Sequence, residues 1–197
     1  PSTERGEKTF NAILDSAQEV LAEEGLRSIT TRKVSDRAEV NIATLYQYFV
    51  DIEAILMELS LRLQIATTSS LEEAAVELAL GRDFEEWLAD VVDTLAEAWM
   101  ETESITALIY ATRSLPYLRN VVNLGWEAGA RLLATALSIR YPGLNADQWL
   151  VYTRATNSVI RFTLDDTISA EPFDRERLDL VRQMTSDFLV RQMALNP

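Results

Sequence analysis

The 197-residue chain contains no cysteine and no histidine. Without thiolate or imidazole it lacks the ligands of ordinary zinc sites, the sulfurs of a disulfide, a histidine-activated nucleophile and the Glu-x-x-His pairs of carboxylate di-metal centres. An enzyme would be left with carboxylates, lysine, tyrosine and hydroxyls, so the chain is expected not to be an enzyme and to need no metal or other cofactor. Lysine is scarce, two against sixteen arginines, and six glycines with five prolines leave few breakers. No run of about 18 apolar residues and no charged-then-apolar leader appears, which predicts a soluble, cytoplasmic protein with no membrane partner.

What is present is a large apolar supply, 48% of residues, carrying a net charge of −13. The acid is uneven. Residues 51–197 hold 12 basic and 23 acidic groups, whereas residues 28–49 hold Arg32, Lys33 and Arg37 against Asp36 and Glu39. An acidic body disfavours sliding on arbitrary nucleic acid but leaves that one stretch free to meet phosphate.

The stretch Thr30 to Phe49 reads TTRKVSDRAEVNIATLYQYF. Val34, Ser35, Ala38, Val40, Leu45 and Phe49 supply a buried seam for two short helices at an angle, joined by a turn near Glu39 to Asn41. Thr30 or Thr31 is suited to cap the first helix and Asn41 the second. Outside the seam remain Thr31, Arg32, Lys33, Ile42, Ala43, Thr44, Tyr46, Gln47 and Tyr48. These hydroxyls, cations and small side chains, gathered at one end, match the chemistry of a groove-reading surface. Thr31, Tyr46 and Tyr48 suit phosphate oxygens, Lys33 adds a charge, and Arg32 suits guanine or backbone. Gln47 suits adenine, and the methyls of Ala43 and Thr44 suit thymine. Tyr48, next to Phe49, is equally suited to packing between helices, so Tyr46 is the stronger of the two.

The first helix is predicted from Lys8 to Glu24, with Phe10, Ile13, Leu14, Ala17, Val20 and Leu21 on one stripe, an acidic opposite side, and Gly25 as its stop. Arg5 and Lys8 are placed just ahead of it, in reach of phosphate. A fourth helix is predicted from Asp51 through Ile55, Leu56, Leu59 and Leu63 toward Leu78, with Thr67 to Ser70 as a place for a bend or break. Further helices are read at Phe84 to Met100, Ser104 to Arg113, Pro116 to Arg140, Ala146 to Leu164 and Asp174 to Met193. Gly81 with Asp83, Pro116, Pro142-Gly143 and Pro172 punctuate them. The fold class is all-α, about nine helices, with a three-helix head in residues 1–50 and a helical body in residues 51–197.

The head resembles the DNA-binding domain of the TetR family of bacterial repressors. The resemblance covers about the first 60 residues, through Thr30-Thr31-Arg32, Val34-Ser35, Ala38, Val40 and Thr44-Leu45-Tyr46-x-Tyr48-Phe49. Two positions depart from the family pattern. Glu39 stands where a turn glycine is usual, requiring a helical or left-handed backbone with a side chain attached. Ile52 stands where a lysine usually opens the fourth helix and touches phosphate.

The resemblance implies a double-stranded DNA operator as partner, a homodimer, and an effector cavity in the body. Trp99, Tyr110 and Trp126 are the expected lining, with Asn157 or Arg161, four residues apart on one helix, fixing the orientation of a small, mostly apolar effector. Arg161 is equally placed to pair with Asp165. Tyr152, Ala155, Val159 and Phe162 on the eighth helix and Leu178, Val181 and Phe188 on the ninth are the expected dimer interface. The function expected is a ligand-released repressor on a palindromic operator. The alternative is a helical interaction protein whose DNA binding is weakened or lost.

Overall fold

A computed structural model describes residues 3–101, 104–167 and 174–197. Among the described residues the chain is all-α, with nine helices and no strand. These are α1 (Glu4–Glu24), α2 (Thr31–Arg37), α3 (Ile42–Tyr48), α4 (Ile52–Ala79), α5 (Phe84–Met100), α6 (Ile105–Ser114), α7 (Pro116–Arg140), α8 (Ala146–Thr167) and α9 (Arg175–Leu195). No helix among them is long and apolar enough to cross a membrane.

The boundaries follow side-chain chemistry. Thr3, in extended backbone, accepts from Gly6 N and starts α1 four residues earlier than the apolar stripe suggested. Arg5 and Lys8 therefore belong to the first turns of a helix, where Lys8 pairs with Glu4 at 2.8 Å, and do not form a loose arm. Gly25 ends α1 at φ 74°, a left-handed value that glycine adopts without steric cost. Asp51 accepts from Ala54 N at the start of α4, and Asp83 accepts from Glu85 and Glu86 N at the start of α5. Asn145 and Gln148 cap α8 reciprocally, each side chain accepting from the other's backbone N–H at 3.0 Å. Thr67 to Ser70 do not interrupt α4, which runs 28 residues as one helix. Pro172, expected as a break before the last helix, lies outside the described residues.

The chain divides into two compact units, Pro1–Gln64 with Thr102–Val122 and Ile65–Glu101 with Asn123–Pro197. The first is built on α1. Its Ile13, Leu14, Ala17 and Leu21 meet Val34 of α2 and Leu45 of α3, and Ile55 and Leu56 of α4 continue the same cluster. Leu108 and Ala111 of α6 and Leu118 of α7 also belong to it. The three-helix head thus keeps an apolar side that later helices cover.

The second unit is tied together by buried aromatics whose polar ends reach backbone on a neighbouring element. Trp87 of α5 donates its indole N–H to Ala74 O of α4 at 2.6 Å, and Trp149 of α8 donates to Tyr141 O at 3.2 Å. Thr153, fully buried, donates to Ala130 O at 2.9 Å and so joins α8 to α7. The helices α8 and α9 run antiparallel, since Tyr152 meets Phe188 edge-on at 5.7 Å while Asp166 pairs with Arg177.

Candidate functional site

In the head, Thr30 and not Thr31 caps α2, its hydroxyl accepting from Lys33 N at 3.2 Å. Asn41 caps α3, accepting from Ala43 N at 2.8 Å. Between them the turn closes with Val40 N donating to Ser35 O at 3.1 Å and Glu39 N donating to Asp36 O at 3.4 Å, the paired bonds of a Schellman-type stop. Glu39 takes the position that such a stop reserves for left-handed backbone, φ 52°, and is the non-glycine residue with positive φ among the described residues. Of the two conformations open to it, the left-handed one is used.

The capped ends leave the expected reading residues on one surface. Thr31 stays free of capping, and its hydroxyl lies 3.2 Å from that of Tyr46, joining the start of α2 to the middle of α3. Tyr46 is 53% exposed, and Ala43 and Gln47 beside it are exposed. Ile42 and Thr44 are half-buried. Tyr48 is also half-buried, with its ring 6.2 Å from that of Phe10, which is the packing role.

The electrostatics of this surface differ from a count of its charges. Arg32 pairs with Asp36 one turn along at 3.2 Å. Lys33 pairs with Glu24, and Arg37 is held by Glu19 at 3.2 Å and Glu23 at 2.6 Å, all three carboxylates from α1. The Arg37 hydrogen bond holds Glu23 below the usual carboxylate range, and the same bonds hold Arg37 above its own. Arg32, Lys33 and Arg37 thus each have a carboxylate of the same unit as a competitor for phosphate. The sequence carried a signal for this, since Glu19 and Glu23 are spaced i, i+4 on one face of α1 with Glu24 beside them.

In the second unit, Trp126, Asn157, Arg161 and Trp99 come together. The rings of Trp99 and Trp126 meet edge-on at 6.1 Å, and Asn157 Nδ2 donates to Trp126 O at 3.5 Å. Arg161 lies 5.9 Å over the Trp126 ring and donates to Asn123 Oδ1 at 2.8 Å, on an outer groove that Arg154 also lines. Trp126 and Asn157 line an internal cavity of about 30 Å³ whose other walls include Trp87, Leu88, Leu95 and Ile160. Trp99 touches this cavity through Trp126. Tyr110 stands on α6 in the first unit with 51% of its surface exposed. Trp87 is a wall residue outside the set expected from the sequence.

On α8 and α9, Ala155, Val159, Phe162 and Phe188 are exposed, and Tyr152 and Val181 are half-buried. Leu178 is 1% exposed and has no surface to give to a partner. The reason is helical geometry: Leu178, Thr185 and Leu189 fall on the inward face of α9, while Leu180, Met184 and Phe188 fall on the outward one. Val151, Leu180 and Met184 extend the exposed apolar face and were not singled out by sequence.

Residues 13–59 match the model of the bacterial regulatory proteins, tetR family. A similar curated protein is the uncharacterized HTH-type transcriptional regulator YdeS of Bacillus subtilis strain 168, 37% identical over 54 residues, a match spanning 27% of either chain. Among solved structures, the chain is similar to one ascribed to the TetR family from Mesorhizobium loti MAFF303099, with a TM-score of 0.75 at 14% identity over 98% of both chains. It is also similar to RolR, solved in complex with resorcinol, with a TM-score of 0.61 at 18% identity over 98% of this chain and 96% of that one. At those identities the structures establish the all-α fold, and the N-terminal match speaks for residues 13–59. The family match thus lies on the α1–α4 part of the head, in a chain whose all-α fold is that of solved structures ascribed to the same family of regulators.

Proposed function

We propose that the chain is a repressor that binds a palindromic double-stranded DNA operator as a homodimer and is released by a small, mostly apolar effector. The head of residues 1–50 reads the DNA, and residues 51–197 bind the effector and the second subunit. The observation that carries this reading is the exposed end of the head, where Thr31, Tyr46, Ala43 and Gln47 stand together between two capped helices. One short helix covers only a few base pairs, and two heads about 34 to 36 Å apart read two half-sites one turn apart. The cavity wall of Trp126 and Asn157 is the place for the effector, and the RolR complex supports a body of this fold accepting a small aromatic molecule.

The mechanism is a population shift. The effector favours a conformation in which the two heads have the wrong separation, and DNA favours the other. Reversing a 99:1 preference takes about 5.5 kcal/mol of differential affinity, which two sites per dimer share. A second reading, an interaction protein with weakened DNA binding, is favoured by the carboxylates paired with Lys33 and Arg37 and by Ile52 in place of a lysine.

Selection of binding sequences from a random duplex pool separates the two. Recovery of a palindrome, with binding lost on Arg32→Ala or Tyr46→Ala, supports the repressor. Rounds that enrich no sequence at low or moderate salt overturn it in favour of the interaction protein.

A further inference from the structure

The two threonine hydroxyls lining the cavity of the second unit share one hydrogen-bonding character. Thr156 donates its hydroxyl hydrogen to Tyr152 O and Thr153 O, each at 3.2 Å, and Thr185 donates to Val181 O and Arg182 O, each at 2.9 Å. A hydroxyl has one hydrogen, so both residues have spent theirs on their own helices and retain only oxygen lone pairs. Asn157 adds an amide whose carbonyl oxygen is an acceptor and which makes a stretched 3.5 Å bond from Nδ2 to Trp126 O, leaving its second N–H as a neutral donor. Among the described residues no lysine or arginine lines the cavity, and Arg161 lies on the outer groove with Asn123.

A ligand entering here meets indole and aliphatic walls, several acceptors and no cation. A carboxylate would bring a charge with one amide N–H and no cation to compensate its lost hydration. A pure hydrocarbon would leave the acceptors unused. A flat ring bearing one O–H satisfies both demands, with its faces against Trp87 and Trp126 and its hydrogen given to a threonine or asparagine oxygen.

We propose that the cavity bounded by Trp87, Trp126, Thr156, Asn157 and Thr185 takes a neutral, hydrogen-bond-donating aromatic ligand of the phenol class and rejects carboxylates. The proposal rests on the reading of this unit as the effector-binding body and names its ligand class. At about 30 Å³ the cavity is well below the roughly 300 Å³ at which ligand pockets begin, so the ligand enters by moving a wall. In this proposal the wall that gives way is Leu71 of α4. It is half-buried, and it occupies the space over Gly129 so closely that a Cβ there would stand 3.1 Å from Leu71 Cδ1.

The test is calorimetric titration of the whole protein near neutral pH with three probes of equal shape, 4-methylphenol, toluene and 4-methylbenzoate. The expected order is 4-methylphenol first, with the benzoate at least roughly tenfold weaker. Thr156→Val combined with Asn157→Leu is expected to remove the advantage of the phenol over toluene while leaving toluene bound. Gly129→Ala, which crowds Leu71, is expected to weaken all three probes. Binding of the benzoate as tightly as the phenol, or of toluene as tightly as the phenol, overturns the ligand class while leaving an effector-binding body intact. If none of the three binds, the ligand class is overturned, and release of the selected operator by other small apolar molecules decides the effector-binding body separately.

Discussion

Glu39 and Tyr117 are two residues held in places that suit a simpler side chain. Glu39 sits at φ 52° in the turn between α2 and α3, where left-handed backbone costs a residue with a Cβ about 1 kcal/mol that glycine escapes. Glu39→Gly is therefore expected to raise the stability of the protein by about 1 kcal/mol, read as an increase in the midpoint of urea unfolding, with DNA selectivity unchanged. No change, or a loss, would mean that the Glu39 side chain makes a compensating contact. Tyr117, in the first turn of α7, has a buried hydroxyl with no hydrogen-bond partner among the described residues. Burial, followed by the charges of Glu53 and Asp51, pushes its phenol up from 10.0 to about 12. The folded state thus keeps the proton that the unfolded chain gives up above pH 10. The sign follows: stability is intact below that value and falls as pH rises from 10 towards 12. Tyr117→Phe is expected to be neutral to about 1 kcal/mol stabilising at neutral pH and to flatten the alkaline decline. Unfolding midpoints of both proteins on either side of pH 10 check this, and a steeper decline in the variant would refute it. The sequence shows that Glu39 occupies a turn but not which backbone region it takes. Nor does it show that Tyr117 shares a core with α1, because that contact joins segments a hundred residues apart.

At the scale of the element, α1 has two duties that pull in different directions. Its apolar stripe carries the core of the first unit, and its acidic side holds the cations of α2. The first duty was legible from the spacing of Ile13, Leu14, Ala17 and Leu21, as were the helix ends, because caps such as Thr30, Asn41 and Asp51 act locally. Of the second only the acidic face was legible, since which cation Glu24 or Glu23 meets depends on how two helices cross, which periodicity does not encode. The same limit explains Leu178 and Tyr110: their apolar character was plain, but the faces they turn inward or outward were set by neighbours. The pairing has a consequence for DNA binding. Lys33 must leave Glu24 to meet a phosphate, so part of its electrostatic gain offsets the pair it breaks. Glu24→Gln is expected to strengthen operator binding several-fold and to steepen the dependence of log K on log salt by up to about 0.9, one added phosphate contact. The affinities of both proteins across a salt series decide it. An unchanged slope with unchanged affinity would place Lys33 away from the phosphates.

For the whole molecule the open question is what covers the outward face of α8 and α9. Val151, Val159, Phe162, Leu180, Met184 and Phe188 are all exposed there, a density of large apolar side chains that a solitary chain in water rarely presents. Two copies meeting through this face as a two-fold pair would bury it, since a self-complementary patch serves both partners. A stable interface needs about 800 Å² from each partner, which two helices of 22 and 21 residues have the length to provide. Phe162 is the residue to change, because it is 62% exposed and its loss costs the chain's own core little. Phe162→Asp places a carboxylate at the centre of the contact, where in a two-fold pair it also faces its own copy. The variant is expected to keep its helical circular dichroism and to sediment as a monomer at concentrations where the parent protein is a dimer. Its affinity for a palindromic operator should fall by roughly 10²–10⁴, the advantage that tethering two heads confers, while affinity for a single half-site stays the same. A parent protein that is already monomeric would refute the interface. A dimer that survives Phe162→Asp would move it to another face. If the variant is monomeric yet still binds the full operator as tightly as the parent, pairing of the bodies is not what brings two heads to the DNA.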